Sequence, residues 1–473
     1  MSVSPAAPSS APSVRNTRTA EAEHKAQEAL EKHKADEAGF IVHERSADGA
    51  ILNAESSLST LSTLLTPLSS LFLRNRHAPP APCSSLQLSI SAAARALLRS
   101  RADGAALQAD CTLQLRQLGA MPQHDVVAVL ECAGNRRREM ARPERGESSE
   151  GIQWGAGAVG NVAWRGVRLF DLLRLLGLHL DALDDASSLR FEGLHLHLLS
   201  SQALFGASLP LAALAPQHLV ATHANDEALP RVHGGALRAV LPGVVGARWI
   251  KWLRALHVDV VPEASAPMRD DYKMLCPPAG LAERQRSEWL ARMSGAQMDG
   301  EMRRRLMLEQ PALMSVGIGS AVVTPREGEV VDVHGEIRGY AVPANGQAIQ
   351  SVSLLFLALP ATTPPSSSLS RTHLRQLAAA RPAHEWRAAQ LLGSPAAAQD
   401  VGGGTWGWTL WRASVKPLLR PARRRGEARG KEEAWAVVVR ASTSEARQEQ
   451  ESPYNVRGFA NRSWPVVRIS VAS

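Results

Sequence analysis

The chain has 473 residues, of which 45% are hydrophobic and 21% charged, and its formal net charge is +8. This length favours two or three folded domains, and the composition is that of an ordinary globular protein. No apolar run reaches the roughly 18 residues that a membrane-spanning helix needs. The four cysteines are widely spaced and form no Cys-x-x-Cys pair, so neither a disulfide framework nor a zinc site is indicated.

The excess positive charge suits a small anionic ligand better than a nucleic acid. Only three tyrosines and seven phenylalanines are available for stacking on bases, and no helix-turn-helix or zinc-finger pattern occurs. A basic surface attracts anions of any size. We therefore expect a small anionic substrate, no nucleic acid partner and no membrane span.

Residues 1–36 predict a disordered tail, because the segment is rich in Ala, Ser and Pro and then in charged residues. Its first twenty residues contain two arginines and no acidic residue, which is weakly similar to a transit peptide. The C-terminus lacks the Ser-Lys-Leu peroxisomal signal. We expect an intracellular protein, with a mitochondrial location favoured over a cytosolic or peroxisomal one.

The apolar segment Val126–Leu130 predicts a buried strand that leads to Cys132. An Ala-Gly-Asn turn signal and three arginines follow the thiol. Positive charge beside a thiol favours the thiolate, which is the form that ligates metals. The alternative is a buried, unreactive cysteine, which is the commoner state of a lone cysteine in an intracellular protein.

The run Cys132-Ala-Gly-Asn-Arg-Arg137 resembles the signature of the sulfite oxidase family, whose cysteine ligates molybdenum beside a pterin dithiolene. A soft thiolate ligand suits such a centre. The resemblance implies that Cys132 is the metal ligand and that Arg137 is a catalytic residue. Among the members of the family, the plant-type enzymes, which lack haem, are the most similar.

An earlier segment resembles the opening of the same family, in which Leu-Thr-Pro is followed by Phe and then by Arg-Asn-His. Arg74 matches the first active-site arginine and is also expected to contact the cofactor, together with Asn75 and His77. An additional residue, Arg76, separates Asn75 from His77. The alternative interpretation of this basic run is a solvated turn.

The glycine-rich stretch between residues 151 and 167 also matches the family, and it gives Trp154 the place of the tryptophan that lines the substrate pocket. A core tryptophan is the alternative. The longest match runs from Leu229 to Leu253 and predicts a loop, a strand and a glycine turn. Arginine offers a planar fork to a phosphate group, and the backbone amides of glycine turns add donors. The resemblance implies that the pterin and its phosphate are bound by His233, Arg238, Trp249, Ile250 and Lys251.

Two further segments complete the site that the resemblance implies. The segment Asp270–Pro278 gives Tyr272 the place of the active-site tyrosine. The segment Tyr454–Trp464 gives Arg457 the place of the third substrate arginine, although two motifs that are separate in the family are fused here. If Arg457 does not face the pocket, Arg462 is the next candidate.

From Val316 onward the pattern changes to a period of two residues, which predicts short strands and a β-sandwich. The predicted strands are Val330–Ala341, Ile349–Leu357, Trp406–Trp411, Ala434–Arg440 and Val466–Val471. Leu169–Leu178 predicts a buried helix, and residues 279–312 predict a polar connecting segment. Ala361–Arg381 and Arg420–Lys431 predict exposed loops.

Taken together, we expect an α+β protein in which a sulfite-oxidase-type molybdopterin domain precedes an immunoglobulin-like β-sandwich dimerisation domain. The expected boundaries are 1–36 for the tail, 37–312 for the catalytic domain and 313–473 for the sandwich. The implied reaction is the two-electron oxidation of sulfite to sulfate at a molybdenum-molybdopterin centre in a homodimer. We expect no haem in this chain, and therefore oxygen as electron acceptor, with cytochrome c as the alternative.

Two alternatives remain open. The first is a nitrate reductase-like or other oxyanion molybdoenzyme. Arg457 and the Asp-Tyr-Lys segment disfavour it. Nitrate reductases typically carry Met at the position of Arg457 and lack the Asp-Tyr-Lys segment. The second is a non-catalytic dimeric scaffold without cofactor. The additional Arg76, the presence of His195 where relatives often have Asp, and the shortened segment before Arg457 keep this alternative open.

Overall fold

The computed structural model describes residues 39–47, 52–99, 107–142, 145–178, 187–197, 200–263, 265–294, 298–359, 369–393, 404–415 and 433–472. The predicted tail and the predicted loop Arg420–Lys431 lie outside these residues. None of the helices in the described part of the chain is both long and apolar enough to cross a membrane.

Short strands joined by turns make up most of the described chain, and few of its helices exceed three turns. The strands are β1 (Phe40–Arg45), β2 (Leu52–Ser56), β3 (Leu73–Arg74), β4 (Ser85–Ile90), β5 (Asp110–Gln114), β6 (His124–Glu131), β7 (Val159–Arg168), β8 (Ser188–His197), β9 (Ser200–Pro210), β10 (Leu219–Ala224), β11 (Glu227–Ala228), β12 (Arg238–Val240), β13 (Leu253–Asp259), β14 (Gly319–Thr324), β15 (Val330–Asp332), β16 (Glu336–Val342), β17 (Ser351–Ala358), β18 (Arg387–Ala388), β19 (Gln390–Leu391), β20 (Thr409–Ser414), β21 (Glu433–Ser442) and β22 (Val466–Ala472). The α-helices are α1 (Ala92–Arg99), α2 (Leu115–Ala120), α3 (Leu169–Leu175), α4 (Glu283–Met293), α5 (Gly300–Glu309) and α6 (Arg371–Ala379).

The first part of the chain builds three sheets. Strands β1, β2 and β3 form a small sheet in that order, and β11, β10, β7 and β6 form another in which β12 also pairs with β10. The third has the order β5-β4-β13-β8-β9, with β13 parallel to β4. Alternate residues of β6 are buried, as the apolar segment predicts, so this strand ends inside the core and delivers the residue that follows it to an interior position.

The last part of the chain builds two sheets with the orders β14-β16-β20-β19 and β15-β22-β21-β17-β18. Apolar side chains from both sheets, such as Ile337 and Trp411 from one and Val437 and Ile469 from the other, form one shared core. The period-two alternation predicted strands correctly here. One of them is divided, because a turn at Gly335 separates β15 from β16.

Two segments differ from their prediction. The predicted loop Ala361–Arg381 contains the helix α6, whose Leu374 and Ala378 are fully buried against β17 and β21. The predicted polar connection at 279–312 contains α4 and α5, which bury Trp289 and Met293 in a separate apolar cluster. In both segments the abundance of polar residues reflects only the solvent-facing side of an amphipathic helix.

The strand β6 contacts loop residues of the C-terminal part of the chain. The amide of Val129 donates to the carbonyl of Trp406 at 3.0 Å. The carboxylate of Glu131 accepts two hydrogen bonds from Arg462, at 2.9 and 2.7 Å, and both side chains are buried. The strand that precedes Cys132 is therefore fixed from two sides before any ligand is considered.

Candidate active site

Cys132 follows β6 at the start of a tight turn. Its amide donates to the carbonyl of Ala158 at 3.0 Å, and its carbonyl accepts from the amide of Asn135 at 2.9 Å. Gly134 leaves room for Arg137 beside this turn, because a Cβ atom at residue 134 would lie 2.6 Å from Nη2 of Arg137 and would displace this guanidinium. The turn therefore brings the guanidinium of Arg137 back towards the residue that carries the thiol.

Two neighbouring cavities meet at Cys132. We call them the inner and the outer cavity, and both are lined by Cys132, Arg74, Arg76 and Tyr272. The inner cavity is further lined by Phe72, Leu130, Phe205, Val232, His233, Arg238, Gly246, Ala247, Trp249, Ile250, Lys251 and Trp252. The outer cavity is further lined by Arg137, Glu150, Gly151, Ile152, Trp154, Arg457 and Phe459.

Lys251 is a partly buried cation of the inner cavity. Its Nζ donates to the carbonyl of Arg74 at 3.0 Å and to Oδ1 of Asn75, which is itself 2% exposed. Burial, together with the positive charges of Arg238 and Arg74, holds the pKa of Lys251 well below its usual value. An anion in this cavity would favour the charged amine.

Arg238 and His233 form the next layer of the inner cavity. Nη1 of Arg238 donates to the carbonyl of His233 at 2.7 Å, whereas its buried Nε has no hydrogen-bond partner among the described residues. Burial lowers the pKa of Arg238. Burial also lowers the pKa of His233 to about 4, and its Nε2 lies 3.1 Å from the carbonyl of Leu68, so this imidazole is neutral near pH 7.

Trp249 and Ile250 supply apolar wall to the same cavity. Nε1 of Trp249 donates to the carbonyl of Val244 at 2.9 Å, and its ring packs edge-on against Trp164 at 5.7 Å between centroids. Ile250 is 1% exposed. The rigid apolar wall keeps water away from the buried cations and strengthens their interaction with an anion.

The inner cavity has the donor set of an anion site. No Asp or Glu is found among the described residues that line it, although Arg238 is buried and Lys251 is partly buried there. Buried cations without a carboxylate partner are costly unless an anion accompanies them. The described part of the chain also contains no group of three or more His, Cys, Asp or Glu able to hold a metal ion. A metal at Cys132 would therefore need most of its ligands from a non-protein group.

The outer cavity holds its arginines differently. The guanidinium carbons of Arg137 and Arg457 each lie 5.1 Å from the ring centroid of Phe459. Nη1 of Arg137 also donates to the carbonyl of Ile152 at 2.8 Å. Burial, with the positive charges of Arg457 and Arg74 nearby, lowers the pKa of Arg137 despite the opposing influence of Cys132. These guanidinium groups crowd one another, and a bound anion would relieve their repulsion.

Tyr272 and Asp271 connect the two cavities. The ring of Tyr272 stacks on Phe459, with centroids 5.6 Å apart and an interplanar angle of 21°. The carboxylate of Asp271, whose side chain is 3% exposed, pairs with Nη2 of Arg76 at 2.7 Å and also with Nη2 of Arg457. One buried carboxylate therefore orients two guanidinium groups that line the outer cavity.

Trp154 and Glu150 complete the outer wall. Trp154 is 1% exposed and packs edge-on against His43 at 4.8 Å between centroids. Glu150 is the carboxylate among the described lining residues, and Arg303 of α5 donates to both of its oxygens, at 2.6 and 2.5 Å. Because its charge is offset by Arg303, Glu150 does not cancel the positive character of the cavity.

The structure brings most of the residues singled out from the sequence to these two cavities. The residues that line one or both are Arg74, Cys132, Arg137, Trp154, His233, Arg238, Trp249, Ile250, Lys251, Tyr272 and Arg457. Asn75 lies behind the inner cavity, where it accepts from Lys251. His77 lines neither cavity, and Arg76 stands in the wall instead. Arg462 is 5% exposed and bound to Glu131, so it is no alternative to Arg457.

Three residues of the site were not singled out from the sequence: Arg76, Asp271 and Phe459. In the sequence Arg76 is an additional residue within a motif, and this does not indicate where its side chain lies. Asp271 directly precedes Tyr272 in the sequence, and Phe459 follows Arg457 by two positions. Their proximity to those residues is the available signal, but only the folded chain shows that Asp271 pairs with Arg457, 186 positions away, and that Phe459 stacks on Tyr272.

Comparison with known protein families matches residues 100–266 to the family described as oxidoreductase molybdopterin binding domain. Mitochondrial sulfite oxidase of Drosophila melanogaster is 31% identical over 370 residues, covering 76% of this chain and 54% of that protein. Sulfite oxidase of Gallus gallus is 30% identical over 419 residues, covering 87% of this chain and 74% of that protein. The chain thus spans about half the length of the Drosophila protein.

A plant relative and a solved structure extend the comparison. Nitrate reductase [NADH] 1 of Phaseolus vulgaris is 27% identical over 52% of this chain and 27% of its own length. The crystal structure of the sulfane dehydrogenase SoxCD from Paracoccus pantotrophus superposes with a TM-score of 0.58, covering 92% of this chain and 88% of that one. At 17% sequence identity, that likeness establishes the shared fold.

Proposed function

The chain belongs to the sulfite oxidase family of molybdopterin-binding oxidoreductases, and from that premise we propose that it oxidises sulfite to sulfate. The observation that carries the proposal is the outer cavity, where Arg74, Arg137 and Arg457 line a space that ends at Cys132. Guanidinium groups stay charged and present forked donors, which match a small oxyanion.

The residues of the inner cavity fit the molybdenum-molybdopterin cofactor of the family. Cys132 would be the protein ligand to the metal, since no larger ligand group exists in the described chain. Lys251 and Arg238 would hold the phosphate of the pterin, because they are buried cations without a carboxylate partner in the cavity. Trp249 and Ile250 would contact the pterin ring.

The bound centre supplies two-electron redox chemistry, and the chain's own residues position the substrate for it. In our proposal Arg137 and Arg457 hold the anion, and the contact of both guanidinium groups with the ring of Phe459 restricts the movement of these side chains. Tyr272, 8% exposed, offers a phenol donor to a substrate oxygen. Trp154 closes one wall and excludes water.

The test is to purify the protein, measure its molybdenum content and follow oxidation of sulfite. We expect molybdenum near one equivalent per chain and sulfite-dependent turnover. Molybdenum with nitrate-dependent turnover instead would move the assignment to the reaction of the plant relative. If the purified protein contains no molybdenum and shows no turnover, the chain is a non-catalytic scaffold without cofactor.

We further propose that oxygen accepts the electrons. The support is the resemblance to plant-type members, such as the sulfite oxidase of Arabidopsis thaliana, which is 27% identical over 87% of this chain. Purified enzyme given sulfite should consume oxygen and form peroxide. Turnover that appears only after cytochrome c is added would reject oxygen as acceptor and leave sulfite oxidation intact.

We propose that residues 313–473 form an immunoglobulin-like sandwich through which two chains dimerise, following residues 37–312 as the catalytic domain. Its support is the shared core between the two C-terminal sheets and the commonness of two-fold pairing. Sedimentation at micromolar concentration should give a dimer, and a monomer would count against this assignment.

A mitochondrial location is also part of the proposal. Relatives from several animals are named mitochondrial sulfite oxidases, and the first twenty residues here carry arginines without acidic residues. A fusion of residues 1–36 to a fluorescent protein should enter mitochondria. A cytosolic distribution of the fusion would reject this location.

A further inference from the structure

We propose that Arg76 is a fourth substrate-binding guanidinium, which makes the outer cavity select dianions over monoanions. This inference rests on the proposed function and deepens it, because it names the charge class of the substrate. Arg76 stands in the sequence as an additional residue within an Arg-Asn-His motif, so nothing in the resemblance assigns it a role.

The position of Arg76 supports a direct role. Its side chain is 18% exposed and lines both cavities beside Cys132. Nη2 lies 2.7 Å from Oδ2 of Asp271, and Cζ lies 5.6 Å from the ring centroid of Tyr272. The negative charge that Tyr272 and Asp271 can provide raises the pKa of Arg76, so the group is a permanent cation at the junction of the cavities.

A structural role alone does not account for Arg76, because Arg248 already supports Tyr272. The guanidinium carbon of Arg248 lies at the same distance, 5.6 Å, from the Tyr272 ring. Arg248 donates to the carbonyls of Leu313, Pro267 and Tyr272, at 3.1, 2.7 and 3.2 Å, and it lines neither cavity. Of the two guanidinium groups beside this ring, Arg76 is the one that faces the space where substrate would bind.

Asp271 makes the charge of Arg76 important. Its buried carboxylate pairs with Arg457 as well as with Arg76. Without Arg76, the carboxylate would be balanced to a greater extent by Arg457, and less of the Arg457 charge would act on a ligand. With Arg76 present, four guanidinium groups around the outer cavity outnumber Asp271 and Glu150, and Glu150 is already offset by Arg303.

The charge class follows from Coulomb's law. Each added cation interacts twice as strongly with a dianion as with a monoanion in the same place, and exclusion of water enlarges the difference. Sulfite and sulfate are dianions when fully deprotonated, whereas nitrate is a monoanion of similar size. Arg76 therefore favours the sulfur oxyanions, and its removal should weaken their binding more than that of nitrate.

The experiment compares sulfate and nitrate binding to cofactor-loaded protein by isothermal titration calorimetry, for the wild type and for Arg76→Gln. Glutamine keeps a hydrogen-bond donor for Asp271 but removes the charge. The matched control is Arg284→Gln, because that side chain is 91% exposed on α4 and its loss changes net charge equally. Thermal unfolding of each variant verifies the fold, and Arg76→Met, which also removes the charge, replaces Arg76→Gln if the latter does not fold.

For Arg76→Gln we expect the sulfate Kd to rise on the order of 10- to 100-fold, the range for loss of one charged donor, and the nitrate Kd to rise less. Arg76→Lys should retain the preference for sulfate, with some loss of affinity because it lacks the fork. Equal losses for both anions, or no loss for either, would overturn the inference.

Sulfite kinetics on the same samples separate this inference from the proposed function. Sulfite KM should rise in Arg76→Gln by a factor similar to the sulfate Kd, with a smaller change in kcat. Wild type that binds sulfate through Arg76 but does not oxidise sulfite would reject the proposed function alone. Wild type that oxidises sulfite with an unchanged sulfate Kd in Arg76→Gln would reject this inference alone.

Discussion

The inner and outer cavities share Cys132 but stabilise positive charge in opposite ways. In the inner cavity, Lys251 and Arg238 are held by backbone carbonyls and by Asn75, without a carboxylate in the described lining. In the outer cavity, Arg457 is held by Asp271 and by the ring of Phe459. The first arrangement is suited to an anion that stays bound, and the second to an anion that enters and leaves at every turnover.

The difference between the two cavities explains why the carboxylate of Asp271 lies beside the arginines of the outer cavity. A permanent ligand can itself balance buried cations, so no protein carboxylate is needed beside it. A transient substrate leaves its cations uncovered after product release, and Asp271 would keep Arg76 and Arg457 in place until the next substrate arrives. Substitutions in the two cavities should therefore separate loss of cofactor from loss of substrate affinity.

The largest effect is expected at Cys132, one of the residues that both cavities share. Cys132→Ser should abolish sulfite oxidation while leaving the fold intact, because an alcohol has the size of a thiol but is a far poorer metal ligand. Steady-state turnover and circular dichroism measure the two properties. The control is Cys83→Ser, since Cys83 lies outside both cavities and donates to the carbonyl of Ser85, as a serine can. Wild-type turnover in Cys132→Ser would refute its role as metal ligand.

The next effect is expected in the outer cavity. Arg457→Met should raise sulfite KM and cost about 2–4 kcal/mol in kcat/KM, the scale for one preorganised charged donor. Molybdenum content should not change, because Arg457 lies outside the inner cavity.

A contrasting variant tests whether the position of Arg457 matters. Arg462→Met breaks the buried pair with Glu131 and should lower the free energy of unfolding by about 3–5 kcal/mol. The sulfite KM of the folded fraction should stay at the wild-type value. If Arg457→Met leaves kcat/KM unaltered, this arginine does not contact the substrate.

A smaller effect with a different readout is expected in the inner cavity. Lys251→Met should lower the affinity for the molybdopterin cofactor about 10- to 100-fold, because one charged donor to its phosphate is lost. Molybdenum retained after dialysis measures this affinity, and Arg284→Met at the surface is the control. Enzyme that remains loaded should keep a sulfite KM near the wild-type value. A raised KM with full molybdenum content would contradict the division between the two cavities.

The smallest effect concerns the charge state of the inner cavity. Burial lowers the pKa of His233, and also that of the buried residue His218, to about 4 from an ordinary value of 6.5. The unfolded chain binds these protons below pH 6.5, and the folded chain does so only near pH 4. The free energy of unfolding should therefore fall as the pH decreases through this window, by about 2 kcal/mol per histidine at pH 5.

Urea unfolding at pH 7 and pH 5 measures the decrease. His233→Gln should remove about half of the contribution of the two histidines, and His218→Gln should remove the other half, since each variant deletes one of the linked protons. An unchanged pH dependence in His233→Gln would mean that this imidazole is already protonated near pH 6.5. His233 would then add a positive charge to those of the lysine and arginines that line the inner cavity.

Local patterns predicted much of the fold. Alternation predicted the strands β17, β21 and β22, and the apolar run before Cys132 predicted β6. Successive side chains of a strand point to opposite faces of the sheet, so the burial of a strand can be recognised from neighbouring residues. The same reasoning missed α4, α5 and α6. Each presents a mainly polar surface, and only its contacts with a distant partner show which few residues are buried.

By itself the sequence determined the family and most of the residues of the candidate site, since a motif such as Cys132–Arg137 is contiguous and its chemistry depends on residue type. The tertiary structure alone decided which cations share a space. Arg76 reaches the cavity wall in place of His77, Asp271 joins it to Arg457, and Arg462 binds Glu131 instead of facing the cavity. These outcomes depend on contacts between residues far apart in the chain, where burial and mutual charge, rather than local sequence, fix the position of each side chain.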